Sequence, residues 1–148
     1  MGQYYLTVCM DKKEFIDPFN FGAYSKEIEY ISSSLYGKAI MYLLSKSSSN
    51  DIGDITDYQG EKPDYKGRWS GCRIRTIGHY DKSNLYKRAK DRYINISIYI
   101  VGEMLSIDGL LLPREIEILL DHYAGDEYKS FRQRMHIAHT YSKRMWSQ

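Results

Sequence analysis

The residues between positions 66 and 92 are those whose types and spacing could do chemistry on a partner. This stretch holds nine Lys and Arg against two Asp, whereas residues 1–65 carry six basic and ten acidic residues and residues 93–148 six and seven. A net charge of +2 therefore conceals a strongly positive middle segment. Within it, Arg68, Arg73, Arg75, Lys87, Arg88 and Lys90 are interleaved with Trp69, Tyr80 and Tyr86. Cations neutralise phosphates and aromatic faces stack on bases, so the mixture has the composition of a nucleic-acid surface. No RNP, zinc-finger or GXXG motif accompanies it, and charges on a strand or a short helix are more often simply hydrated. Arginine and aromatic residues also dominate protein-protein hot spots. Fifteen tyrosines extend that reading, since each offers a ring that packs and a hydroxyl that seeks a partner, although tyrosine also rises with AT-rich coding.

Other candidate groups are sparser. His136 and His139 stand three apart on an expected helix, a spacing that can hold a metal. Their neighbours Arg132, Arg134, Lys143 and Arg144 would repel a divalent ion, so the sequence implies a hydrated face, no metal and no cofactor. His79 and Asp81 pair a potential base with a carboxylate, and Cys72 lies upstream. In a regular strand, however, Cys72 and His79 would point to opposite faces, which argues against a nucleophile-base pair. Gly67, Gly71 and Gly78 match no phosphate-binding loop and read as turn or bulge positions around Trp69.

The elements that must position these groups follow from periodicity. Residues 3–10 alternate as a strand, and 14–17, ahead of Pro18, read as its returning partner. Leu35, Ala39, Ile40, Leu43 and Leu44 mark a helix from Ser34 to about Lys46, and the acidic, apolar-poor stretch 47–65 reads as a long loop. Residues 68–80 alternate as a strand with a basic face, and 85–92 as a short basic helix. Residues 93–101, with Ile94, Ile96, Ile98 and Ile100 alternating against polar neighbours, carry the cleanest strand pattern in the chain. Pro113 opens a helix running to about Tyr123. A last helix, about 126–146, would set Lys129, Arg132, His136 and Lys143 along a wet face able to add contacts.

A chain of 148 residues, 43% apolar and 27% charged, fits one folded domain spanning 1–148. The expected class is α/β in the α+β sense: one small, mostly antiparallel sheet packed against three to four helices. Cys9 and Cys72 are too few for a disulfide scaffold and imply a reducing compartment. No apolar run is long enough to span a bilayer, so a cytoplasmic location without membrane contact is expected.

Two runs carry a resemblance. MGQYY followed by Asp11-Lys12-Lys13-Glu14, and Gly67-Arg68-Trp69-Ser70-Gly71-Cys72-Arg73-Ile74 leading to Gly78-His79-Tyr80-Asp81, are similar to a group of small uncharacterised phage and bacterial proteins. These begin MGQYY and carry W-x-G-D-R-I followed by G-D-Y. The similarity covers residues 1 to about 90, and Cys72 and His79 stand where that group often has aspartates. The resemblance implies a phage or prophage origin and brings no activity with it.

Three functional expectations follow. The leading one is a phage-type accessory protein that binds a host protein or ribonucleoprotein complex, as an inhibitor of a nuclease or defence complex would. The second is a nucleic-acid-binding module using the 66–92 segment. The third is a small hydrolase or nucleotide-binding protein around His79 and Asp81.

Overall fold

The computed structural model describes residues 3–22, 34–46, 64–107, 109–125, 127, 129 and 130. In chain order these form β1 (Tyr5–Cys9), β2 (Glu14–Ile16), a 3-10 turn (Pro18–Phe21), α1 (Ser34–Leu44), β3 (Ile74–Gly78), α2 (Leu85–Arg92), β4 (Ile94–Asn95), α3 (Ser97–Ser106) and α4 (Pro113–His122). The strands make one sheet in the order β3-β1-β2-β4. β1 is antiparallel to both neighbours and β4 runs parallel to β2. The expected α+β architecture, a small mixed sheet with four helices among the described residues, is what the chain forms.

Strand alternation divides the sheet into two unequal faces. Leu6, Val8, Phe15 and Ile77 point to one side, where Leu85 and Ala89 of α2 close a small core. α2 reaches that face as the crossover between β3 and β4, which share a direction. Cys9 and Ile16 point to the other side, into a larger core with Tyr36, Ala39 and Leu43 of α1, Ile100, Val101, Met104 and Leu105 of α3, Leu119 of α4, and Trp69. Thr7 lies on this second face, where it is satisfied by its neighbours: the Tyr36 hydroxyl donates to its Oγ1 at 2.7 Å and the Thr76 hydroxyl lies 2.9 Å away.

Two expected strands are shorter than their patterns suggest. Within 93–101 only Ile94 and Asn95 pair, after which the chain turns into α3. The Asn95 carboxamide accepts the Ser97 N–H at 3.0 Å, a local bond that starts the helix. The fully buried Ser97 hydroxyl in turn accepts the Asp17 N–H at 2.9 Å. Buried residues then recur at Ser97, Ile100, Val101, Met104 and Leu105, a helical stripe that continues beyond the alternating isoleucines.

Within 68–80 only Ile74–Gly78 is strand; residues 66–71 fold into turns in which Gly67 and Gly71 adopt φ of +76° and +80°. At Gly67 a side chain is excluded twice over, by that left-handed backbone and by the Ser45 carbonyl oxygen. These turns serve α1: the Gly67 N–H donates to the Tyr42 carbonyl and the Trp69 N–H to the Leu43 carbonyl, each at 2.9 Å, occupying acceptors left open at the helix end. The expected strand or turn at 25–30, nearly all of the 47–65 loop and most of the 126–146 helix lie outside the described residues.

Candidate functional site

The sequence places Arg68, Trp69, Arg73, Arg75, Tyr86, Lys87, Arg88 and Lys90 on one candidate surface; the fold divides them. Trp69 is 0% exposed, so it cannot stack on a partner as expected. Its indole Nε1–H donates to Glu14 Oε1 at 3.0 Å, and Arg68 closes on the same carboxylate with Nε at 3.0 Å from Oε1 and Nη2 at 2.6 Å from Oε2. Glu14 itself is 5% exposed. Burial pushes its carboxyl up, but the Arg68 and Trp69 hydrogen bonds outweigh burial and hold it below the ordinary carboxylate range. The Arg68 guanidinium also lies over the Tyr65 ring, 5.5 Å from its centroid. This cluster fixes the turn after α1 to β2, and Arg68 is spent on it.

Two further cations are engaged by the same hairpin. Arg73 pairs with Asp11 at 2.9 Å in an exposed bridge, while the Asp11 carboxylate also accepts the Arg73 N–H at 2.6 Å. Lys90 reaches Asp17 at 3.3 Å. Asp11, Glu14 and Asp17, set along the hairpin, thus neutralise Arg73, Arg68 and Lys90. The expectation that these basic residues share a free surface is corrected accordingly.

The remaining cations stay open. Arg75, Lys82, Lys87, Arg88 and Arg92 are exposed and make no ion pair among the described residues. α2 explains their grouping. Leu85 and Ala89 turn inward, so Asn84, Lys87, Arg88, Asp91 and Arg92 line a shallow depression on the solvent side of the helix. Three cations against one carboxylate leave this face positive. Arg92 was legible as the residue one helical turn beyond Arg88, and Lys82 as part of the basic stretch, though neither stands out by motif.

Next to α2 lies a cluster of rings. His79 stands against Tyr80 with centroids 4.0 Å apart, against Tyr4 at 5.2 Å and against Tyr86 of α2 at 5.7 Å. Tyr80 is 58% exposed and Tyr4 39%, so their faces are open to solvent. Tyr86 is more sheltered, and burial followed by the charge of Asp17 pushes its phenol up to about 12. His79 Nδ1 accepts the Tyr4 N–H at 2.8 Å, which continues the β1-β3 pairing and commits that lone pair to structure.

Asp81 accepts the Ser83 N–H at 2.8 Å; Ser83, with a smaller contribution from Arg75, holds its carboxyl below the ordinary range. His79 and Asp81 are thus engaged separately, and Cys72 lies at the opposite end of β3 from His79. No hydrogen bond joins His79 to Asp81, the two residues around which the third expectation is built.

Lys129 is exposed, while Arg132, His136 and Lys143 of the expected helix face, with His139, lie outside the described residues. Among the described residues no three His, Cys, Asp or Glu side chains gather as a metal would require, and no helix is long and apolar enough to cross a membrane. The chain matches no known family model, no curated protein and no solved structure.

Proposed function

We propose that this chain is a binding protein whose α2 face receives single-stranded nucleic acid. One observation carries the reading: Lys87, Arg88 and Arg92, which make no ion pair among the described residues, line one depression on the same helix whose Tyr86 abuts the His79–Tyr80–Tyr4 rings. The cations would track the phosphates, and the open faces of Tyr80 and Tyr4 would stack bases without demanding a sequence. Arg75 and Lys82 extend the positive field around the rings.

The test is anisotropy of a labelled oligonucleotide at rising salt. If three phosphates are neutralised, the logarithm of the binding constant falls against log salt with a slope of about −2. Binding that is absent at low salt, or insensitive to salt, overturns the reading.

A second reading, the phage-type accessory protein that seats on a host protein and inhibits it, has its own support. Phe19, whose ring lies edge-on to His122, is 51% exposed and Ile118, which lies beside Gly22, is 38% exposed, apolar groups of the 3-10 turn and α4. A host partner that survives nuclease treatment and is lost on Phe19→Ser favours this reading over the first.

A further inference from the structure

Cys9 and Cys72 are far apart in sequence and lack any motif spacing, yet the fold brings them together. Cys9 ends β1 opposite Ile74 of β3. Upstream of Ile74 the chain stays beside β1, since the Met10 N–H donates to the Arg73 carbonyl at 2.9 Å. Cys72 therefore sits diagonally across from Cys9, on the same side of the sheet, and packs against the core cluster that holds Cys9. The Cys72 thiol lies near enough to add to the upward push on the Cys9 thiol. Cys9 is buried and Cys72 half-buried, so solvent reaches the pair from the Cys72 side.

The surroundings suit sulfur chemistry. The backbone N–H groups of Lys12 and Asp11 favour the Cys9 thiolate, and the Arg68 guanidinium lies close enough to feel its charge. Fixed donors and a nearby cation are what stabilise a developing thiolate. Burial works against them and holds the Cys9 thiol above its ordinary value. This asymmetry assigns the roles: the accessible sulfur attacks first and the buried one resolves.

We propose that Cys9 and Cys72 form a redox-active dithiol that is oxidised by low-molecular-weight disulfides, of which oxidised glutathione is the probe. Cys72, its proton passing to water, attacks one sulfur of the small disulfide; that S–S bond breaks and a small thiolate leaves. Cys9 then loses its proton and attacks the Cys72 sulfur of the mixed disulfide, forming the Cys9–Cys72 bond as the second small thiolate leaves. The protein gives up two electrons and two protons, and the small disulfide becomes two thiols.

The experiment treats the folded full-length chain with excess oxidised glutathione, alkylates remaining thiols and reads intact mass and linked peptides. The wild type should lose both alkylatable thiols, retain no glutathione and yield a peptide joining Cys9 to Cys72. Cys9→Ser should stop at a glutathione adduct on Cys72, and Cys72→Ser should leave Cys9 unmodified. A wild type that keeps both thiols, or that accumulates a stable adduct without the cross-link, overturns the proposal. Modification of Cys9 in the Cys72→Ser chain overturns the assigned order of attack. Should Cys9→Ser fail to fold, the wild-type peptide map still decides.

Discussion

Arg68 and Arg88 belong to one positively charged stretch and end in opposite surroundings. Arg68 grips a 5% exposed carboxylate beside a buried indole, whereas Arg88 stands on the solvent side of α2 in a depression shared with two other cations. Their difference teaches that positive charge along a sequence becomes surface potential only where the fold withholds carboxylates. The β1-β2 hairpin supplies Asp11 to Arg73, Glu14 to Arg68 and Asp17 to Lys90, and among the described residues no carboxylate pairs with Arg75, Lys82, Lys87, Arg88 or Arg92. Three cations of the segment therefore hold the fold, and the others stay exposed.

The comparison breaks most sharply at Glu14. Glu14→Ala leaves Arg68 without its carboxylate and the buried Trp69 N–H without an acceptor. Removing one partner of a buried pair costs about 3 kcal/mol, toward the low end because Arg68 is partly hydrated. Chemical denaturation should show that loss, while oligonucleotide binding by the fraction still folded stays unchanged. A Glu14→Ala chain as stable as the wild type would show that the cluster is incidental to the fold.

Acid probes the same cluster without mutation. Because Glu14 is held below its ordinary value of 4.5, its ionised form favours the folded state. That stabilisation is complete above the unfolded value and is lost as pH falls through the folded one. His122 adds an earlier loss. Its imidazole, set edge-on against Phe19 and Tyr123, is held below the ordinary 6.5 by burial, with Glu127 pulling the other way. Protonation therefore favours the unfolded chain as pH drops below 6.5. Denaturation midpoints measured against pH should fall in two stages, the upper one abolished by His122→Phe and the lower one reduced by Glu14→Gln, with Asp81 and Asp11, also held below their ordinary value, supplying the remainder.

The open half is tested by reversing its charge. Lys87→Glu with Arg88→Glu touches neither core, so stability should stay within about 0.5 kcal/mol of the wild type. Oligonucleotide affinity at low salt should fall by at least roughly tenfold, with a shallower salt slope, because phosphate contacts are lost. Retained affinity with an unaltered slope would place the nucleic-acid surface elsewhere.

The sequence disclosed much of the scaffold and only half of the surface. The β1-β2 hairpin, α1, α2 and α4 follow from local periodicity and caps, signals that lie within a few residues of one another. The helix at 97–106 was hidden because Ile94, Ile96, Ile98 and Ile100 satisfy a two-residue period, while the deciding residues, Met104 and Leu105, lie past the end of a strand-length window. Trp69 reads as an exposed ring for a different reason. Its burial depends on Glu14, 55 positions away, arriving to accept its N–H, and on the carbonyls at the end of α1 accepting the turn around it. The thiol contact is equally non-local, since only the β1-β3 register brings Cys72 beside Cys9. Charge counts were right, but which charges remain unpaired is a property of the register.

The smallest effect is the one that separates field from contact. Arg73 and Asp11 form an exposed bridge, and exposed bridges contribute little to stability, so Asp11→Asn should leave the denaturation midpoint unmoved. The asparagine can still accept the Arg73 N–H, so the turn keeps its shape while Arg73 loses its counter-charge. If nucleic acid were drawn by the net charge of the whole segment, this single change would raise affinity as surely as removing Lys87 lowers it. The geometry leads to the opposite expectation: Arg73 lies before β3, whereas the cation-lined depression and the ring cluster lie beyond its far end, on α2 and the loop that precedes it. A solvent-exposed charge separated from a site by more than a Debye length is largely screened at physiological salt. Affinity measured by anisotropy at that salt should therefore match the wild type, and an increase comparable to the loss from Lys87→Glu would return Arg73 to the binding surface.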